Sequence, residues 1–84
     1  MQLLLNPRFL DDLQFWVSTD ARTASRVLKL VEEIRRDPFH DTGKPEPLKH
    51  LGPGMWSRRV TQADRLVYLV ESGKIELLQC RYHY

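Results

Sequence analysis

The sequence contains only one cysteine, Cys80, so the chain cannot form a disulfide within itself. This count is typical of proteins from a reducing compartment, and we expect a cytoplasmic protein. Cys80 lies in an apolar run, which favours a buried, inert thiol over a nucleophilic one. No apolar run approaches the roughly 20 residues that cross a bilayer, so we expect no membrane partner.

Two common kinds of active site are also missing from the sequence. The three histidines, His40, His50 and His83, do not have the spacing of zinc ligands. The four glycines match no nucleotide-binding loop. The sequence therefore predicts neither a metal ion nor another cofactor.

The charge is distributed unevenly along the 84 residues, which are predicted to form a single domain, 1–84. Residues 1–42 hold six Lys/Arg and seven Asp/Glu, whereas residues 43–84 hold seven and four. The second half is thus the electropositive half, although the net charge of the chain is only +2. This asymmetry favours an anionic partner for the second half.

Two helices are predicted in the first half, after a short strand at residues 2–5. Asn6 and Pro7 form a typical helix start, because Asn is a favoured cap and Pro a favoured first residue. The predicted buried stripe of the first helix is Leu10, Leu13, Trp16 and Val17. The predicted buried face of the second helix is Ala24, Val27, Leu28, Val31 and Ile34. Pro38 should end that helix at Asp37.

The second half has the periodicity of strands, predicted at residues 55–62, 65–71 and 74–82. A connector, residues 39–54, precedes them, and a loop of this length inside a small domain is often functional. The element order is therefore β-α-α-β-β-β. It predicts an α+β fold in which a small antiparallel sheet packs against a helical hairpin.

Several polar residues of the second half could together cleave RNA without a metal ion. They are Glu46, Lys49, Arg58, Arg59, Arg65, His83 and Tyr84. A carboxylate can take the proton of the attacking 2′-hydroxyl, and an imidazolium can protonate the 5′-oxygen that leaves. Guanidinium groups can stabilise the negative charge of the phosphorane between these two steps. Pro45 and Pro47 restrict the backbone of the carboxylate between them.

Each of these residues also has a structural alternative. Glu46 can be a solvated loop acid, and His83 with Tyr84 can merely cap a sheet edge. Arg58 and Arg59 are neighbours on a predicted strand and point to opposite faces, so at most one belongs to a given site. Trp56 remains open between core packing and base stacking.

Four separated motifs resemble one known family. They are Gly43-Lys44-Pro45-Glu46-Pro47-Leu48-Lys49-His50, Trp56-Ser57-Arg58-Arg59, Asp64-Arg65-Leu66-Val67-Tyr68 and Cys80-Arg81-Tyr82-His83-Tyr84. Together they resemble the YoeB (Txe) toxins of the RelE/ParE superfamily over essentially the whole chain. The connector at residues 51–55 departs from the usual pattern of the family.

The resemblance implies a RelE-like fold and a ribosome-dependent mRNA endoribonuclease, the toxin of a type II toxin–antitoxin pair. It implies that Glu46 is the general base, His83 the general acid and Arg65 the stabiliser of the phosphorane. It further implies that Tyr84 shapes the site and that Lys49 and Arg59 contact the RNA. The implied partners are a cognate antitoxin, the ribosomal A site and mRNA. The sequence leaves open whether the chain is a monomer or a homodimer.

Two other functions stay open at this point. The first is a protein that poisons its target by docking alone, as the ParE branch of the superfamily is thought to do with DNA gyrase. The second is a regulatory subunit with no target of its own. The joint presence of Glu46, Arg65 and His83 favours the nuclease, because docking has no chemical need for them.

Overall fold

The structure, a computed structural model, describes residues 1–82, so the predicted acid His83 and its neighbour Tyr84 lie outside the described residues. Its helices and strands are β1 (Gln2–Leu5), α1 (Pro7–Thr19), α2 (Ala21–Arg36), β2 (Glu46–Pro47), β3 (Met55–Arg59), β4 (Arg65–Glu71) and β5 (Lys74–Gln79). Among the described residues, no helix is long and apolar enough to span a membrane. The predicted α+β fold with two helices and a strand meander is confirmed.

The sheet has the strand order β1-β5-β4-β3-β2. The pairs β2–β3, β3–β4 and β4–β5 are antiparallel, as predicted, but β1 runs parallel to β5. The sheet is therefore mixed, and β1 lies at its edge beside the last strand, from which both helices and three strands separate it along the chain. The connector also contributes the two-residue strand β2, where the sequence predicts a loop.

The helix boundaries agree with the local signals in the sequence. The Asn6 side chain accepts a hydrogen bond from the Arg8 N–H at 2.9 Å, and Pro7 opens α1. Asp20 caps α2 by accepting from the N–H of Thr23 at 3.2 Å and from its hydroxyl at 2.8 Å. These bonds lower the pKa of Asp20. The second helix ends at Arg36, one residue before Asp37 and two before Pro38.

The buried faces of both helices differ from the predicted ones. In α1 the buried residues are Phe9, Asp12 and Trp16, whereas Leu10 and Val17 are 47% and 55% exposed. Asp12 occupies a core position because its carboxylate accepts a hydrogen bond from the Cys80 N–H at 3.1 Å. An apolar pattern cannot detect a stripe that includes an aspartate, so the predicted stripe was partly wrong.

In α2 the error concerns a single pair of leucines. Leu30 is 1% exposed and Leu28 is 55% exposed, the reverse of the predicted choice. Ala24, Val27 and Ile34 are buried as predicted. Leu28 and Leu30 each lie at helical spacing from some of these buried residues. The position of the sheet therefore decides which of the two leucines is buried.

The core lies between the two helices and one face of the sheet. Its buried residues are Phe9, Trp16, Ala24, Val27, Leu30, Ile34, Val60, Leu66, Tyr68, Ile75, Leu77 and Cys80. Burial raises the pKa of Cys80 to about 12, so its thiol is protonated at neutral pH, as the sequence predicted for an inert cysteine.

A buried guanidinium fastens the connector to this face of the sheet. Arg58 is fully buried and donates to the carbonyl oxygens of Asp37 at 2.7 Å and Thr42 at 3.1 Å, and to the Tyr68 hydroxyl at 3.2 Å. The Tyr68 hydroxyl in turn donates to the Pro38 carbonyl at 2.6 Å. Residues 37–42 therefore have a defined path from the end of α2 towards β2.

Replacing Arg58 by Met should lower the free energy of unfolding by about 3 kcal/mol, because two part-buried carbonyls and the Tyr68 hydroxyl lose their donor. Urea unfolding at pH 7 measures this loss. The matched control is Arg59→Met on the next residue, whose exposed side chain should change the stability by only about 0.5 kcal/mol. Equal losses in the two variants would contradict the anchoring role of Arg58.

The cap of α2 should make stability depend on pH. Because the pKa of Asp20 is lowered in the folded chain from its ordinary value of 3.8, its contribution is present above that value and is lost as the pH falls through the lowered pKa. Asp20→Ala should therefore reduce the urea midpoint at pH 7 but not in strong acid. Asp11→Ala, at an exposed position of α1, is the control and should leave the midpoint unchanged.

Candidate active site

The site is on the face of the sheet that points away from the helices. The registers pair Glu46 with Ser57, Ser57 with Val67, and Arg59 with Arg65. Residues paired directly across strands lie on the same face. Side chains from β2, β3 and β4 thus meet on one face, and Glu46, Ser57, Arg59 and Arg65 are among them.

Arg65 is the centre of this arrangement. Although it carries a charge, it is only 8% exposed. Its Nε and Nη2 donate to the Ser57 hydroxyl at 3.2 and 2.8 Å, and Nη2 lies 3.7 Å from the Glu46 Oε2. The guanidinium is therefore held in place on one side by a hydroxyl and lies close to a carboxylate on another.

Ser57 is a residue whose role the sequence analysis missed. Its side chain is fully buried and orients the guanidinium of Arg65. The available signal was its position two residues before Arg59, which places both on one face of β3. A serine at such a position is not reactive in itself, so a search for nucleophiles passes over it.

Glu46 has an exposed carboxylate on a fixed backbone. Its side chain is 55% exposed, and its residue pairs with Ser57 at the edge of the sheet. The chain before it is held by Gly43, whose carbonyl accepts from the Arg59 N–H at 2.8 Å. Gly43 has φ +86°, and a Cβ there would lie 3.1 Å from the Arg58 Cβ, so this close approach requires glycine.

The two residues predicted to contact RNA, Arg59 and Lys49, are both exposed. Arg59 lies directly opposite Arg65 across the β3–β4 pair. Lys49 begins a short 3-10 helix, Lys49–Leu51, three residues after Glu46. This helix follows the buried Leu48, whose N–H donates to the Met55 carbonyl at 2.8 Å.

Two other candidates from the sequence are not on this face. Arg58 points to the helices, as the alternation of β3 requires, and serves the connector instead. Trp56 is on the same side and packs against Phe39, with 5.0 Å between the ring centroids. Of the two roles that the sequence allows for Trp56, the structure shows core packing.

Tyr82, the last described residue, is bound to β4. The Tyr82 carbonyl accepts a hydrogen bond from the Arg65 N–H at 3.1 Å, which brings this end of the chain to β4. His83 and Tyr84 lie outside the described residues, so their meeting with Glu46 and Arg65 stays a prediction. Within residues 1–82, no three His, Cys, Asp or Glu side chains cluster as metal ligands would.

Comparison with known proteins identifies several close relatives. A family model described as the YoeB-like toxin of bacterial type II toxin–antitoxin systems matches residues 5–84. The toxin YoeB of Escherichia coli K12 is 44% identical over 84 residues, which cover 100% of both chains.

Two solved toxin structures, one of them in complex with an antitoxin, have the same fold. A YoeB/ParE toxin from Agrobacterium tumefaciens is 43% identical with a TM-score of 0.92, and 100% of each chain is covered. The toxin in a heterotetrameric YoeB–YefM toxin–antitoxin complex from Staphylococcus aureus is 31% identical with a TM-score of 0.85. That match covers 100% of this chain and 98% of the other.

Proposed function

Because the chain belongs to the family of YoeB-like toxins of bacterial type II toxin–antitoxin systems, we propose that it is a ribosome-dependent mRNA endoribonuclease. It acts in the cytoplasm, where it cuts mRNA in the ribosomal A site and so inhibits translation. The reaction is general acid–base catalysis by side chains, with the 2′-hydroxyl of the RNA as nucleophile.

The observation that supports this proposal most directly is the contact between Arg65 and Glu46, whose Nη2 and Oε2 are 3.7 Å apart. A carboxylate beside a guanidinium places a proton acceptor next to a stabiliser of negative charge. Since Arg65 is largely buried and oriented by Ser57, it needs little reorganisation when the phosphorane forms.

In the proposed reaction, Glu46 takes the proton of the 2′-hydroxyl while that oxygen bonds to the adjacent phosphorus. The bond from phosphorus to the 5′-oxygen breaks, and His83 supplies the proton that this oxygen gains. The products are a 2′,3′-cyclic phosphate and a free 5′-hydroxyl. Arg65 stabilises the phosphorane between these steps, and Tyr84 shapes the site around it. The roles of His83 and Tyr84 rest on the resemblance of the terminal motif.

The position of Arg59 also supports an anionic ligand on this face. Like charges directly opposite each other across two strands repel, and Arg59 and Arg65 form such a pair. A phosphate that binds between them removes the repulsion and gains bonds to two guanidinium groups. We assign Arg59, together with the exposed Lys49, to the RNA backbone.

We propose that a cognate antitoxin binds the toxin when the toxin is not on the ribosome. The similar toxin of Staphylococcus aureus was solved in complex with its YefM antitoxin. An antitoxin segment with acidic and apolar residues would neutralise the face that carries Arg59 and Arg65.

Expression of this chain without an antitoxin should arrest growth, and translated transcripts should be cut at codon positions. Primer extension on those transcripts maps the cuts. The His83→Gln variant should abolish both effects while keeping the circular dichroism spectrum of the parent. Growth arrest with uncut transcripts would instead indicate a docking toxin, and a fully active His83→Gln variant would refute its role as the acid.

Arg65→Ala should lower the cleavage rate at saturating toxin concentration by about a hundredfold or more, because the phosphorane loses its stabiliser. The half-saturating concentration should change much less. Ser57→Ala, which keeps the guanidinium but removes its anchor, should cause a smaller loss of about tenfold. Single-turnover cleavage of mRNA on purified ribosomes measures both constants. A loss confined to the half-saturating concentration would assign Arg65 to binding.

A further inference from the structure

One flank of α2 carries a row of basic side chains. Arg22, Arg26 and Lys29 are spaced by four and three residues, so they lie on the same side of the helix over about 10 Å of its length. Arg22 and Lys29 are exposed, and Arg26 is partly buried. The row therefore presents two exposed positive charges, with a third between them, on one side of the domain.

Arg26 joins this row to the end of β3. Its Nε donates to the Val60 carbonyl and its Nη2 to the Arg59 carbonyl, both at 2.8 Å. The Arg59 N–H in turn donates to the carbonyl of Gly43, the residue before the exposed Lys44. The row thus reaches the edge of the candidate active site, and we call its members together with the lysine of the connector the basic strip: Arg22, Arg26, Lys29 and Lys44.

The acids beside the basic strip are bound to backbone groups. Glu33 lies one turn after Lys29 on the same side of α2, but its side chain is only 12% exposed and accepts from the Thr42 N–H at 3.1 Å. Asp20, at the start of α2, accepts from the N–H and the hydroxyl of Thr23. Neither carboxylate lies within ion-pair distance of the cations of the strip.

Three cations of the basic strip lack an ion pair among the described residues. Within residues 1–82, this holds for Arg22, Lys29 and Lys44. By contrast, Arg35 on another side of α2 pairs with Glu32 at 2.6 Å. An anionic ligand of the strip is therefore attracted without having to displace an existing pair.

The basic strip contains no aromatic or apolar side chain on which a base or a protein segment could pack. Of the described aromatic residues, the exposed Phe39 packs against Trp56, and the exposed Tyr82 ring lies 4.5 Å from the Arg81 guanidinium carbon. Single-stranded RNA is recognised through stacked bases, whereas duplex RNA is recognised through phosphates and 2′-hydroxyl groups. Protein interfaces are anchored by aromatic and apolar side chains, and lysine is depleted in them. A row of Arg and Lys alone therefore fits the backbone of duplex RNA.

We propose that the basic strip binds the sugar–phosphate backbone of duplex RNA, beside the face where mRNA is cut, and that the ribosome supplies this duplex as ribosomal RNA. The ribosomal source rests on the proposed function. The preference for a duplex is a property of the strip itself and can be measured with a short RNA alone.

Lys29→Gln and Arg22→Gln should each weaken the binding of a duplex RNA of about 16 base pairs, measured by fluorescence anisotropy. The expected loss is about threefold to fivefold for each variant in about 50 mM salt. The slope of the logarithm of the affinity against the logarithm of the salt concentration should become less negative by about one for each variant and by about two for the double variant. The urea midpoint should stay near that of the parent, because both positions are exposed.

The matched control is Arg35→Gln, which removes the same charge from an exposed arginine of the same helix. Arg35 lies about 120° around α2 from Lys29 and pairs with Glu32. This variant should change the affinity for duplex RNA by less than about twofold and leave the salt slope unchanged. Equal losses in Lys29→Gln and Arg35→Gln would show that only the net charge matters, and this result overturns the proposal.

Two further probes test the choice of ligand. A single-stranded RNA of the same length and an oligoglutamate peptide should each lose less affinity than the duplex when Lys29 is replaced by Gln. An equal loss for the single strand overturns the assignment to duplex RNA. A loss confined to oligoglutamate assigns the strip to an acidic protein partner and overturns the proposal as well.

The ribosomal source is tested by single-turnover cleavage of mRNA on purified ribosomes. Lys29→Gln should raise the half-saturating toxin concentration by about threefold to fivefold and keep the rate at saturation within about twofold of the parent. An unchanged half-saturating concentration, together with the expected loss of duplex binding, overturns the ribosomal source. A parent that cuts no mRNA overturns the proposed function, and the duplex assay still decides whether the strip binds RNA.

Discussion

The alternation of β3 across the sheet is the constraint on which the site depends. Ser57, Arg58 and Arg59 are consecutive, so the middle residue must point opposite to its neighbours. Arg58 points to the helices and binds the carbonyls of the connector. Ser57 points to the other face and orients Arg65. Strand β3 thus binds the connector that leads to Glu46 and also orients the Arg65 guanidinium that lies beside Glu46.

Several polar groups are buried in this small chain, and each is used to define a path of the backbone or a side-chain position. Arg58 fixes the connector, Asp12 fixes Cys80, and Arg65 is fixed by Ser57. Among residues 1–82, no buried side-chain nitrogen or oxygen lacks a hydrogen-bond partner. Satisfied polar networks of this kind rigidify a structure, because any displacement leaves a buried group unpaired. Such rigidity suits the proposed cleavage, in which the charge of Arg65 is in place before the RNA binds.

Local chemistry made much of the fold predictable. Caps and prolines act on their own neighbours, so the start of α1 after Asn6 and the end of α2 before Pro38 followed from adjacent residues. The bounds of β4 followed in the same way from its flanking turns. Glu46, Lys49, Arg59 and Arg65 were named from residue type and family resemblance, and the structure places Glu46, Arg59 and Arg65 on one face. The placement of His83 and Tyr84 lies beyond the described residues.

By itself, then, the sequence determined the helices, the strand meander, the family and the residue types of the site, because these depend on short-range patterns. Only the tertiary structure decided the parallel pairing of β1, the burial of Asp12 and the anchoring of Arg65 by Ser57. Each of these depends on contacts between residues that are far apart in the chain or on a sheet register. Such contacts are selected by the packing of the whole domain, and no local pattern records them.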